Sequence, residues 1–132
     1  MIVCMIFFAL NAIASPSGDL LDAISMVESS GGKNPKAFTK KTACWGEYQI
    51  KNCVIKDVNR FYGTRYTHSD AFDPIKSRDI CFKYLDWWGD YFEKKTGIKP
   101  TSRTYTRIWN QGYTGMNRKS AIRYWEKVKR HL

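Results

Sequence analysis

Histidine is scarce in this chain: His68 and His131 are the only two in 132 residues. That excludes a His-rich metal centre. Acidic residues are also few, 12 Asp and Glu against 22 Lys and Arg, so the formal net charge is +10. No Gly-rich phosphate loop and no dinucleotide fingerprint occurs, which argues against a nucleotide-dependent enzyme. Beyond the N-terminal stretch no apolar run is long enough to span a bilayer. There is no internal repeat and no low-complexity tract. What is present is 43% hydrophobic and 15% aromatic, enough to bury the core of one ordinary domain and to exclude wholesale disorder. The positive excess calls for an acidic partner: nucleic acid, anionic lipid or an anionic wall polymer. By itself it does not choose among them.

Residues 1–14 resemble a short secretory leader, with an apolar core from Ile2 to Leu10 and the small-x-small pattern Ala12-Ile13-Ala14. Cleavage after Ala14 and export to the periplasm or outside the cell are therefore expected, although the segment has no Lys or Arg. Residues 15–132 then form one domain. Removing Cys4 leaves Cys44, Cys53 and Cys81. Two readings stand: one disulfide with one buried thiol, or three core thiols. Their spacing matches no structural zinc pattern.

The remaining sequence reads as a series of helices. Leu20, Leu21, Ile24 and Val27 keep helical spacing from about Asp19 to Ser29, with Ser17 or Asp19 as cap and Gly31-Gly32 as stop. The run Glu47-Tyr48-Gln49-Ile50 is either a strand or a helix entry. A second helix is predicted over about 51–62, with Val54, Val58 and Phe61 on one stripe. Asp73-Pro74 is a strong start signal. It opens the longest helix, in which Ile80, Cys81, Tyr84, Leu85, Trp88, Tyr91 and Phe92 keep the period and Gly97 ends the run. A fourth helix is predicted from Thr101 or Ser102 to about Trp109, followed by a turn over Asn110 to Gly115. The last runs over about 119–130, with Ile122, Trp125 and Val128 inward.

Glu28 stands out. It follows Ile24 by four positions and Leu21 by seven, which puts a carboxylate on the apolar stripe of its helix. It also lies near the helix C-terminus, where the dipole disfavours negative charge. Both effects raise a carboxyl pKa and suit a general acid. The alternative is a Glu at the edge of the stripe with its head in water.

Glu28-Ser29 is followed by Gly46-x-x-Gln49-Ile50, and later by Trp109-Asn110-x-Gly112-Tyr113. These blocks, in this order, resemble the signature of the soluble lytic transglycosylases, which belong to the lysozyme-like superfamily with the goose-type lysozymes. The resemblance runs from about Leu20 to Lys129. It implies a mostly α, lysozyme-like domain, with a small irregular or β element near residues 44–50. It implies cleavage of the β-1,4 bond between N-acetylmuramic acid and N-acetylglucosamine in peptidoglycan, with Glu28 as the single acid/base. By the same resemblance Ser29 holds Glu28 or the substrate, Gly46 allows close backbone approach in the cleft, and Gln49 contacts substrate. Asn110 bonds an N-acetyl or backbone group, while Trp109, Tyr48, Gly112 and Tyr113 line or support the sugar site. Each has a structural alternative: Ser29 as a helix-end serine bonding its own turn, Gln49 as a buried amide, Trp109 as core.

One departure concerns Glu47, where the family pattern is usually apolar. As a second carboxylate it would open a hydrolytic route on the same bond; as a solvated side chain it would not. The resemblance implies no cofactor and no metal, a monomer, peptidoglycan strands as partner, no nucleic acid, and no stable membrane span once the leader is gone. Two readings of other classes compete. A basic nucleic-acid-binding module is disfavoured because Lys and Arg are spread along the chain and no RNA-binding or zinc-finger signature occurs. An inactive lysozyme-like domain that only binds the wall is the other.

Overall fold

The computed structural model describes residues 14–33, 38–41 and 43–132. Helix α1 spans Gly18–Ser29, and the Ser17 hydroxyl caps it by accepting from the Leu20 amide at 3.2 Å. Ser30 in the left-handed conformation closes it, its N–H returning to the Met26 carbonyl at 3.1 Å. Strands β1 (Phe38–Thr39), β2 (Cys44–Trp45) and β3 (Ile50–Lys51) form an antiparallel meander in the order β1-β2-β3. Phe38 pairs with Trp45 and Cys44 with Lys51. Glu47 to Gln49 are therefore neither strand nor helix entry. They lie in the tight loop between β2 and β3, closed by a 3.0 Å bond from the Gln49 amide to the Gly46 carbonyl.

Helix α2 (Asn52–Tyr62) ends at Gly63. A 3₁₀ turn over His68–Phe72 carries a capping box made by Thr67 and Asp70. Helix α3 (Pro74–Thr96) follows, with the Asp73 carboxylate accepting from the Ile75 and Lys76 amides at 2.9 Å each. Helix α4 (Ser102–Gly115) and helix α5 (Lys119–Val128) complete the chain, with a 3₁₀ turn over Lys129–His131. The domain is thus mostly α with a small β element. Among the described residues no helix is long and apolar enough to cross a membrane. The expected leader lies outside the described residues, except Ala14.

Two helix readings need correction. α4 does not stop at Trp109; it carries Asn110 and Gln111 and breaks its dihedrals only at Gly112, with φ 71° and ψ 173°. Only the glycine tolerates that conformation, so the kink falls there. In α5 the buried positions are Ala121, Tyr124 and Val128, while Ile122 is exposed and Trp125 half-buried. Ala121, Tyr124 and Val128 keep the i, i+3, i+7 spacing of the stripe that faces the core, and Ile122 falls off that stripe.

α3 packs against α1, α2 and α4, and α5 packs on α4 and α1. The core between them holds Leu20, Ile24, Tyr48, Ile50, Val58, Ile80, Leu85, Ile108 and Val128, each at most 1% exposed. Gly89 lets α3 and α4 meet: a Cβ there would lie 2.4 Å from Cε1 of Tyr105. Cys53 and Cys81 are free thiols, which leaves no disulfide among the three cysteines described. Cys44 and Cys81 are buried and Cys53 is exposed, so Cys53 does not serve the core.

Candidate active site

Glu28 sits in the last turn of α1 on the margin of the core. Its carboxyl opens into a cavity of about 390 Å³, bounded by the meander on one side and α4 on the other. Gln49, Trp109 and Asn110 line the same cavity, as the sequence expects. Thr39, Cys44, Lys51, Val54 and Gln111 line it as well. Sequence reasoning does not assign these five to the site: Thr39, Cys44 and Lys51 come from the short meander, and Val54 and Gln111 from α2 and α4, and only tertiary packing brings them to one cavity.

The hydroxyl of Tyr124 donates a 2.6 Å hydrogen bond to Oε1 of Glu28. Burial pushes the Glu28 carboxyl above the usual carboxylate range. The Tyr124 bond, the Lys51 charge and a contribution from the Trp109 indole oppose that rise without cancelling it. Tyr124 itself is pushed far up, first by burial and then by the charge of Glu28, so its phenol stays a donor. The only sign of Tyr124 in the sequence is its place in the Tyr124-Trp125 pair of the last helix.

Trp109 is 8% exposed and meets Tyr84 edge-to-face at 5.7 Å. It therefore works both as core and as cavity wall. The Asn110 side-chain carbonyl accepts from Gln111 Nε2 at 3.0 Å, which leaves the Asn110 amide N–H groups to donate. Gln49 lines the cavity but is also pinned. It donates to the Gly46 carbonyl at 2.9 Å and accepts from the Thr39 hydroxyl at 2.7 Å, which ties the β2–β3 loop to β1. Its own φ is 51°, a conformation held by these bonds.

The other expected site residues lie elsewhere. Ser29 accepts from the Gly32 amide at 2.9 Å and donates to the Ser25 carbonyl at 3.4 Å, the helix-end role and not a grip on Glu28. Gly46 serves packing: a Cβ there would lie 1.8 Å from the Ala71 carbonyl oxygen, and its φ is 76°. Tyr48 is 1% exposed and receives a 3.0 Å bond from Arg78 on its hydroxyl, away from the Glu28 cavity. Gly112 supplies the kink. Tyr113 stacks on Trp88 with centroids 5.4 Å apart. Glu47 accepts a 2.7 Å bond from the Ser25 hydroxyl and lines a shallow depression with Leu21, Tyr48 and Arg78. It is not a second carboxylate of the cavity, because the loop turns it toward the end of α1.

All twelve Asp and Glu residues of the chain fall within the described residues, and of these only Glu28 lines the cavity. Among the described residues no group of three or more His, Cys, Asp or Glu side chains gathers to hold a metal ion. A scan against protein-family models and a search of curated proteins give no match to this chain.

Proposed function

We propose that this protein cleaves peptidoglycan at the β-1,4 bond between N-acetylmuramic acid and N-acetylglucosamine, as a lytic transglycosylase with Glu28 as its only acid/base. The observation that carries the reading is the lone, partly buried carboxyl of Glu28, raised in pKa and held by Tyr124 at 2.6 Å, in a cavity with no second acid. Glycoside hydrolysis in its inverting and retaining forms takes two carboxylates. A route that recruits its nucleophile from the sugar needs only one.

Protonated Glu28 gives its proton to the glycosidic oxygen, and the bond from that oxygen to the muramyl anomeric carbon breaks. The resulting carboxylate then takes the proton of the muramyl 6-hydroxyl, whose oxygen bonds to the anomeric carbon and closes a 1,6-anhydro ring. Glu28 ends protonated as it began, and no water is consumed. The amide N–H groups of Asn110 suit an N-acetyl carbonyl, and the Trp109 indole offers an apolar wall to a sugar face. The excess of ten positive charges favours accumulation on an anionic wall. The natural setting under this proposal is the exported chain, or one delivered to the wall by another machine.

Digestion of purified sacculi followed by mass spectrometry tests the proposal. Products one water lighter than reducing-end muropeptides, absent with Glu28→Gln, are expected. Reducing ends would make the reaction hydrolytic. Intact cleavage by a folded Glu28→Gln variant would overturn the role of Glu28.

A further inference from the structure

A second cavity of about 580 Å³ lies between the end of α3 and α4, lined from the first turn of α4 to the residues just past the Gly112 kink. Arg103 and Arg107, one helical turn apart, both line it, together with Asn117 and Thr114. No carboxylate lines it. Neither arginine joins any ion pair among the described residues. Glu126, which feels the Arg103 charge, is bonded to Lys129 instead. The Nε of Arg107 is buried and has no hydrogen-bond partner. A buried guanidinium N–H left unpaired is costly.

Phe92, Tyr113 and Met116 supply apolar wall to the same cavity. The fork of a guanidinium matches the two oxygens of a planar carboxylate. The apolar wall beside it matches an aliphatic residue that carries that carboxylate. We infer that the Arg103–Arg107 cavity is a binding site for the terminal carboxylate of a short aliphatic peptide. For the natural source of that peptide the inference rests on the function proposed above: wall glycan carries peptide stems with free carboxylates. Asn110 and Gln111 face the first cavity, and Tyr113 and Thr114 the second. The end of α4 thus places the stem site next to the glycan site.

The test is calorimetric or NMR titration of the full chain with acetyl-Ala-Ala and with its C-terminal amide. The acid is expected to bind at about 1 mM or tighter, and the amide roughly tenfold more weakly. Arg103→Gln, on an exposed position, and Arg107→Gln are each expected to weaken the acid roughly fivefold or more, with thermal melts of Arg103→Gln unchanged. Equal binding of acid and amide, or undiminished binding by folded Arg103→Gln and Arg107→Gln, would overturn the site. Inorganic phosphate displacing the peptide at equal concentration would overturn the carboxylate assignment. The titration needs no cleavage, so an inactive Glu28 leaves it intact. Conversely, loss of peptide binding leaves cleavage of peptide-free glycan standing.

Discussion

The Tyr124 hydroxyl reaches Glu28 Oε1 at 2.6 Å across 96 residues of sequence. The bond fixes the rotation of a carboxyl that burial alone would leave only raised in pKa. Because the phenol stabilises the charged form, removing it has a predictable sign. Tyr124→Phe should raise the Glu28 pKa further and slow wall cleavage roughly tenfold, from lost alignment. A general acid works while protonated, so activity falls as pH rises through its pKa. That alkaline limb should move to higher pH in the variant. A pH–rate profile checks it, and a limb that stays in place would count against the assignment.

The raised pKa of Glu28 also has a stability sign. The folded state binds this proton more tightly than the unfolded chain, so the group favours folding when protonated. That contribution is present below the ordinary carboxyl pKa of about 4.3 and is lost as pH rises through the raised folded value. Glu28→Gln should therefore be the more stable protein near neutral pH, with the gain vanishing in acid. Urea melts at two pH values measure it. An exposed Glu28 would give no difference at either.

Glu47 tests the one-carboxylate reading from the other side. Gln at this position still accepts from the Ser25 hydroxyl, so the loop should hold. Glu47→Gln should cleave within about threefold of the parent rate and give the same anhydro products, since the residue lies outside the Glu28 cavity. Loss of activity in a folded variant would restore it as a chemical participant.

Gly89→Ala sets propensity against packing. Alanine favours the helix by about 1 kcal/mol, yet its Cβ would lie 2.4 Å from the Tyr105 ring. The ring is buried, and its hydroxyl is tied to the Ala14 carbonyl at 2.9 Å. Packing should win, and the substitution should destabilise by about 1–3 kcal/mol. A thermal or denaturant melt reads the sign directly.

Local chemistry in the sequence accounts for much of this fold. Asp73-Pro74, Gly63 and Gly97 stand where helices start and stop, because caps act within one turn of themselves. Glu28 was legible for the same reason, as an acid on an apolar stripe. The partners of Glu28 were not. Lys51 and Tyr124 come from the end of the meander and a distant helix, and only tertiary packing brings them to Glu28. Motif position also misled. Ser29, Gly46, Tyr48 and Tyr113 stand in or beside the blocks that suggest the site, yet they serve a helix end, a tight backbone contact, the core and an aromatic stack. Asn110 and Gln111 were misplaced in a turn, since the glycines beyond them read as punctuation while the helix runs on to Gly112.

The start of the described chain is fastened down. The Ala14 carbonyl is held by Tyr105, the Ser15 hydroxyl donates to Asp86 at 2.8 Å, and Pro16 is buried. A processing enzyme needs its target bond extended and reachable. Any cut between Ala14 and Ser15 is therefore in a race with folding: it must come first, while the segment is still loose, or wait for the strap to peel away from α3 and α4. Maturation and folding of this protein would then be ordered events, with the order set by one tyrosine and one aspartate.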